Sequence, residues 1–85
     1  MNKSLQAEFE DVLQKVKNKQ VSKNPGMADK LKLYAWYKQA LAGDLDSKVE
    51  CPEDFVGKMK HQAWSGLKGM SKAEAMRKYI DYFKD

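Results

Sequence analysis

Residues 33–44 have the sequence LYAWYKQALAGD, which predicts an α-helix that stops at Gly43. Glycine at this place is typical of a helix C-terminus, because it adopts a left-handed backbone without steric cost. On a helical wheel one arc is apolar, and the neighbouring arc carries Tyr34, Tyr37 and Lys38. The pattern allows two interpretations: a well-buried helix with tyrosines at its solvent boundary, or a platform on which a flat ring stacks beside a cation.

Helical spacing of apolar residues also marks the segments on both sides of this stretch. The first helix begins after Ser4, a good N-cap, and is expected to run to about Lys19. The second is expected over 28–41, after the turn-forming Asn-Pro-Gly at 24–26. The last begins at SKAE, residues 71–74, which has the pattern of a capping box.

The third helix follows a long irregular segment and is expected to begin at about 52–54 and to end at Gly69. Its inner stripe is predicted at every fourth residue, namely Phe55, Met59, Ala63 and Leu67. Gly57 costs a helix about 1 kcal/mol relative to alanine, so close packing or a ligand would need the space. Four helices without a strand predict an all-α four-helix bundle.

The length and the charge of the chain restrict the fold and the partner. With 85 residues, the chain is expected to be one domain over 1–85. Its net charge of +4 favours an anionic partner, and the excess lies outside the acidic segment 44–54. All basic residues except Arg77 are lysines, which suit phosphate bound as a point charge better than base-edge recognition.

Residues able to support catalysis or bind a metal are few. His61 is the only histidine and Cys51 the only cysteine, too few for a closed zinc site. The sequence contains no nucleophile elbow, phosphate-binding loop or dinucleotide-binding glycine pattern. We therefore expect no enzyme, no metal and no cofactor.

The same residues bear on the location of the chain. A single unpaired cysteine fits a reducing compartment. The N-terminal residues lack the apolar block of a secretory signal, and no apolar run approaches the length of a membrane span. The expectation is a cytoplasmic protein without stable membrane insertion.

Three separated blocks, QAEFE at 6–10, LYAWYKQALAGD at 33–44 and AWSGLKGMSKAEAMRKYI at 63–80, carry a family resemblance. In order and spacing the chain resembles the acyl-CoA-binding proteins, small cytosolic carriers of fatty acyl-CoA thioesters. The resemblance implies a skewed up-down-down-up four-helix bundle. It also implies a monomer that binds one medium- to long-chain acyl-CoA, with no catalysis and no nucleic-acid partner.

By position, the resemblance implies a set of ligand-binding residues: Phe9, Leu13, Lys17, Leu31, Tyr34, Ala35, Trp36, Tyr37, Lys38, Lys60 and Tyr79. The segment 34–38 would form the centre of the site. Tyr37 would stack on adenine, while Lys38 and Tyr34 would hold the ribose 3′-phosphate with help from Lys60.

The remaining implied contacts lie on the first, second and fourth helices. Lys17 and Tyr79 would contact the CoA portion. Phe9, Leu13 and Leu31 would border the groove of the acyl tail.

Four departures from the family pattern accompany the resemblance. The connection between the first two helices is about two residues longer than usual. Val56 stands where many members have lysine, and His61 replaces a usual tryptophan. The segment 47–55, SKVECPEDF, departs from the usual Arg-Pro-Gly pattern. These changes bear on affinity and chain-length preference.

Two other functions are compatible with parts of the sequence. Nucleic-acid binding would explain the basic excess with interleaved aromatics, but the scarcity of arginine and the acidic segment 44–54 oppose it. A helical module that docks on another protein would need an apolar patch left exposed by a short fourth helix. Its complex would depend on Phe83 rather than on Lys38.

Overall fold

Four α-helices form the structure, a computed structural model that describes residues 4–84. They are α1 (Leu5–Lys17), α2 (Met27–Ala42), α3 (Phe55–Ser65) and α4 (Lys72–Phe83), with no strand in the described range. Helix α2 packs against both α3 and α4, while α1 packs against α4. The predicted all-α four-helix bundle is confirmed.

Helix α1 contributes an apolar stripe to the core, spaced as helical periodicity predicts: Leu5, Phe9, Val12, Leu13 and Val16. The Ser4 hydroxyl accepts the N–H of Ala7 at 3.1 Å and caps the helix. Phe9 is buried, and the other stripe residues pack around the core. The helix ends two residues earlier than expected, because Lys19 adopts a left-handed backbone (φ 57°) and donates its N–H to the Val16 carbonyl at 3.1 Å.

Helix α2 begins and ends within one residue of the predicted 28–41, and α4 begins directly after the predicted cap, Ser71. Gly43 has φ 79° and donates its N–H to the Gln39 carbonyl at 3.0 Å, which ends α2. The Ser71 hydroxyl accepts the N–H of Glu74 at 3.0 Å and begins α4. Leu33 of α2 and Tyr79 of α4 are buried in the same core cluster. Local end signals therefore placed both helices correctly.

The predictions for helix α3 were partly wrong. It ends at Ser65, because residues 66–70 continue as short-range turns in which Leu67 and Met70 donate to carbonyls three residues earlier. None of its residues is buried, and Phe55 of the predicted inner stripe is 75% exposed. Among the described helices α3 packs only against α2, so spacing alone overstated its buried face.

Gly57 shows why the first turn of α3 contains a glycine. The Asp54 carboxylate accepts its N–H at 2.8 Å as the N-cap. A Cβ at residue 57 would lie 2.7 Å from both Asp54 Oδ1 and Pro52 Cβ, closer than packing allows. Close packing therefore explains this glycine.

A buried polar network joins α2, α3 and the start of α4. The Gln39 side chain is fully buried, and its amide N–H donates to Asp44 Oδ1 and to the Met70 carbonyl, both at 2.8 Å. The Trp64 indole N–H donates to Gln39 Oε1 at 3.1 Å and to the Gly43 carbonyl at 2.9 Å. Each polar group of Gln39 thus has a partner, as burial requires.

One property of the described helices concerns membranes. Within residues 4–84, no helix combines the length and the apolarity needed to span a bilayer.

Gln39→Leu should lower the free energy of unfolding by about 1–3 kcal/mol, because the Asp44 carboxylate, the Met70 carbonyl and the Trp64 indole each lose a partner. Urea denaturation at pH 7 measures the change. Gln62→Leu, on the exposed face of α3, is the matched control and should be nearly neutral. Equal effects of the two substitutions would contradict the role assigned to the network.

Stability should also depend on the ionisation of Asp44. The Gly69 N–H, donated at 2.9 Å, and the Gln39 amide hold the pKa of this carboxyl below its ordinary value of 3.8. A lowered native pKa means that the ionised form stabilises the fold, and that this contribution is lost as pH falls below about 4.

Asp44→Asn should therefore destabilise the protein at pH 7, and its difference from wild type should shrink between pH 5 and pH 2. Unfolding free energies measured across that range test this. Glu53→Gln, which also removes one exposed carboxylate, is the control. A gap for Asp44→Asn that stays constant down to pH 2 would show that ionisation is irrelevant.

Candidate functional site

All four helices contribute side chains to one open surface cavity of about 560 Å³, here called the groove. This volume is in the range of small-molecule sites. Its lining combines aliphatic residues, tyrosines and lysines: Leu13, Val16, Lys17, Lys30, Leu33, Tyr34, Tyr37, Lys60 and Tyr79. The groove contains no acidic side chain, so its three lysines leave it cationic.

Helix α2 supplies the aromatic part of the groove. Tyr34 and Tyr37 lie one helical turn apart and both line it, as the sequence predicted for residues beside a ligand. Tyr37 is 36% exposed, so its ring is accessible from solvent. A planar group of a ligand can stack on an accessible aromatic ring of this kind.

Tyr79 forms the side of the groove that belongs to α4. Its ring packs edge-on against Phe9, with centroids 5.3 Å apart and an interplanar angle of 82°. Burial, reinforced by the nearby Tyr37 phenol, raises the pKa of Tyr79 above its ordinary value of 10.0. The phenol therefore stays neutral at physiological pH and can donate a hydrogen bond to an anion.

Lysines from three helices surround the tyrosines. Lys17 is on α1, Lys30 on α2 and Lys60 on α3. The Lys60 ammonium lies over the Tyr34 ring, 5.2 Å from its centroid, a cation–π contact that places the charge beside the aromatic surface. The predicted association of Lys17, Lys60 and Tyr34 at one site is present in the structure.

Lys38 is not among the residues that line the groove. Its ammonium lies over the Trp64 ring, 5.1 Å from the centroid, on the side of α2 that faces α3. The helical wheel explains this placement. Around the helix axis Tyr37 lies to one side of Tyr34, facing the groove, and Lys38 lies to the other. The predicted phosphate contact of Lys38 therefore lies outside the groove lining, beside the Trp64 ring.

Four other residues of the predicted set also lie outside the groove lining. Phe9 and Ala35 are 1% and 2% exposed, so both are core residues, and Phe9 does not border the groove as expected. Trp36 is half-buried and packs against the core. Leu31 is half-buried on α2 but lines no part of the groove. In this structure neighbouring helices cover the side chains of Phe9 and Ala35.

Sequence reasoning missed three residues of the groove: Lys30, Val16 and Leu33. Lys30 precedes Tyr34 by four residues, and Lys38 follows it by four. The same tyrosine–lysine spacing therefore occurs on the N-terminal and the C-terminal side of Tyr34. Val16 and Leu33 lie on the apolar faces of α1 and α2 that pack in or against the core. Nothing in their spacing distinguishes a residue that lines a cavity from one inside the core.

The groove has the chemistry of a binding site. Aliphatic side chains can accept an apolar chain, tyrosines a ring, and lysines an anion. Among residues 4–84 no group of three or more metal-ligating side chains is close enough to hold a metal ion. A helical bundle with this groove belongs to the class of small-ligand-binding bundles.

Comparison with known proteins narrows this class. The family model for acyl-CoA-binding proteins matches residues 6–83, nearly the whole chain. The chain belongs to the acyl-CoA-binding protein family.

Individual relatives agree with the family model. The chain is 37% identical over 76 residues to an acyl-CoA-binding protein of Dictyostelium discoideum, covering 89% of this chain and 88% of that protein. It is 48% identical over 52 residues to mouse diazepam-binding inhibitor-like 5, covering 61% and 60%. It is 38% identical over 79 residues to rat enoyl-CoA delta isomerase 2, covering 93% of this chain but only 20% of that much longer protein.

Solved structures show the same fold. The crystal structure of Oryza sativa acyl-CoA-binding protein 2 has a TM-score of 0.76 and 38% identity, with 92% of this chain and 84% of that one covered. The protein from Moniliophthora perniciosa also gives 0.76, at 30% identity, with 95% and 77% covered. The bundle is therefore the acyl-CoA-binding protein fold.

Proposed function

We propose that this chain binds medium- to long-chain fatty acyl-CoA thioesters in the groove. In this role it is an intracellular carrier and pool former that shields the ligand without transforming it. Membership of the acyl-CoA-binding protein family supports the ligand class. The observation that carries the proposal is the groove itself, in which tyrosines, lysines and aliphatic side chains from all four helices surround one cavity.

The adenosine end of the ligand fits the tyrosine–lysine part of the groove. Tyr37, the exposed ring, stacks on adenine, an interaction worth about 1–3 kcal/mol per base. Lys60 is held at the Tyr34 ring, where it meets the ribose 3′-phosphate. Lys17 and Lys30 face the same cavity and neutralise the remaining phosphates.

The acyl tail contributes most of the affinity in this scheme. Each buried methylene is worth about 0.8 kcal/mol, so a tail of about twelve methylenes contributes on the order of 10 kcal/mol before the costs of binding. Partly exposed ion pairs contribute far less, about 0–1 kcal/mol each. The nucleotide end therefore selects the ligand, while the tail holds it.

The remaining properties of the proposed carrier follow from the same scheme. Sequestering the tail needs no nucleophile or acid–base pair, so we infer no catalysis. One groove within one bundle serves one ligand, which supports a monomer. A cytoplasmic location and independence of any cofactor belong to the same proposal.

Calorimetry with palmitoyl-CoA, CoA and palmitate tests the function. We expect palmitoyl-CoA to bind far more tightly than either part, because CoA lacks the apolar tail and palmitate lacks the groups that pair with the lysines and stack on Tyr37. Equal binding of all three ligands, or no binding of palmitoyl-CoA, would refute the proposal.

Lys60→Met should weaken the binding of palmitoyl-CoA by roughly fivefold to tenfold, because it removes a positive charge from the groove and keeps most of the apolar chain. Lys58→Met, on the same helix but outside the groove, is the matched control and should have little effect. Raising the salt concentration should reduce the difference between the variants. If Lys60→Met and Lys58→Met bound palmitoyl-CoA with equal affinity, Lys60 would not be a ligand-binding residue.

A further inference from the structure

The α2–α3 connection, residues 43–54, and the first turn of α3 expose large apolar side chains. Phe55 is 75% exposed, and Val49 and Val56 are each nearly half exposed. Among the described helices α3 packs only against α2, so no other helix covers this end of it. Large apolar side chains exposed near one another are typical of a surface that another molecule contacts. We call these three residues, with Glu50 and Glu53, the acidic–apolar surface.

Short-range contacts hold the α2–α3 connection against the first turn of α3. The Val49 N–H donates to the Asp46 carbonyl at 2.9 Å, and the Asp46 carboxylate accepts the Lys48 N–H at the same distance. Pro52 lies so close to Gly57 that a Cβ at residue 57 would be 2.7 Å from Pro52 Cβ. The acidic–apolar surface is therefore formed before a partner arrives, which lowers the entropic cost of binding.

The carboxylates of this surface have no nearby cations to neutralise them. The segment 44–54 contains five acidic residues and one lysine, in a chain whose net charge is +4. Within residues 4–84, neither Glu50 nor Glu53 has a lysine or arginine at ion-pair distance. Unpaired carboxylates beside apolar side chains attract a cationic partner and repel an anionic one, including an anionic lipid surface.

A partly open cavity of about 150 Å³ lies between the α2–α3 connection, α2 and α3. Most of its wall is apolar or aromatic and includes Leu45, Val49, Pro52 and Trp64. Its volume is below the range of small-molecule sites, about 300–1,000 Å³, and suits a single side chain. We call this cavity the anchor pocket.

The anchor pocket lies next to the groove. Tyr34 and Lys60 line both cavities, and the Lys60 ammonium lies over the Tyr34 ring, so this pair forms the boundary between them. A partner seated on the acidic–apolar surface would therefore lie beside the bound ligand of the groove.

One polar atom in the wall of the anchor pocket has no partner. Nε2 of His61 is buried, yet it makes no hydrogen bond to any residue of the described range 4–84. An unpaired buried nitrogen costs free energy, which a hydrogen-bonding group of a partner would recover. A hydroxyl can pair with either protonation state of the ring, because it both donates and accepts. Tyrosine combines such a hydroxyl with an apolar ring that matches the walls.

We propose that the acidic–apolar surface is a docking site for a partner protein, and that it binds a segment in which basic residues flank a tyrosine. The basic residues pair with Glu50 and Glu53, and apolar side chains of the segment pack on Phe55 and Val56. The tyrosine enters the anchor pocket, where its hydroxyl bonds to His61 Nε2. A central anchor surrounded by charged pairs is the usual distribution of binding energy in an interface. The surface is small, so the complex is transient.

A synthetic peptide, acetyl-Arg-Arg-Leu-Tyr-Leu-Arg-Arg-amide, tests the proposal with the unmodified protein. Titration followed by ¹⁵N NMR should shift the backbone amides of 45–64 more than those of α1 and α4. Replacing the tyrosine of the peptide by alanine should weaken binding by at least about tenfold. The phenylalanine peptide should bind with intermediate affinity, because it keeps the ring and loses the hydroxyl. Equal affinities of the three peptides, or no shifts in 45–64, would overturn the proposal.

Variants of the protein separate the charged contacts from the anchor. Glu50→Gln combined with Glu53→Gln should weaken the tyrosine peptide by about fivefold or more and reduce the dependence of its affinity on salt. Glu10→Gln combined with Asp81→Asn also removes two exposed carboxylates and is the matched control. Equal affinities of the two double variants would contradict the charged contacts.

His61→Trp fills the anchor pocket with a larger side chain and removes the unpaired nitrogen. The tyrosine peptide should then bind no more tightly than the alanine peptide. A tyrosine peptide that keeps its full advantage in this variant, with the fold intact by circular dichroism, would overturn the anchor.

Other occupants of the surface would give different results. Binding of vesicles that contain phosphatidylglycerol, lost in Phe55→Ser and without any binding of the peptide, would assign the surface to a membrane and overturn the proposal. Concentration-dependent sedimentation that disappears in the variant without Glu50 and Glu53, again without peptide binding, would assign it to a second copy of this chain.

Discussion

The hydrogen bonds of Trp64 and Gln39 are the contacts on which the position of α3 depends. Apolar burial fixes the other three helices, whose Phe9, Leu33 and Ile80 share one core cluster. Helix α3 has no fully buried residue and only half-buried apolar ones such as Met59 and Trp64, so it draws less on that source of stability. Its Trp64 indole instead donates to Gln39 Oε1 and to the Gly43 carbonyl, inside a network that also binds Asp44. Because the Gln39 side-chain amide is buried and fully paired, water does not compete for these hydrogen bonds, and they define the orientation of Trp64.

The same network reaches the groove through the geometry of α3. Lys60 precedes Trp64 by four residues, so both side chains project from one face of the helix toward α2. Trp64 fixes the rotation of α3 about its axis, and that rotation places the Lys60 ammonium over Tyr34. Lys38 completes the arrangement by packing its ammonium over the Trp64 ring. The structural tryptophan and the candidate ligand-binding lysine are thus parts of one α2–α3 contact.

The sequence predicted all four helices and much of the groove lining because those features have local signals. Caps at Ser4 and Ser71 and the glycine at Gly43 mark helix ends, and the aromatic–lysine spacing on α2 marked Tyr34 and Tyr37. The errors arose where tertiary contacts decide. Periodicity placed Phe55 on the inner stripe of α3, whereas its side chain is 75% exposed. Gln39 was missed because a glutamine among helical residues normally faces solvent, and only its partners explain its burial.

The groove and the connection between α1 and α2 are under different sequence constraints. The tyrosines and lysines of the groove stand on regular helices, whose positions are set by the core and by the Gln39 network. The connection is irregular and is held to α4 by Lys23 and Tyr82. Insertions in such a connection cost little free energy, because loop entropy grows slowly with length. A change in 21–25 can therefore be accommodated without moving Tyr37 or Lys60.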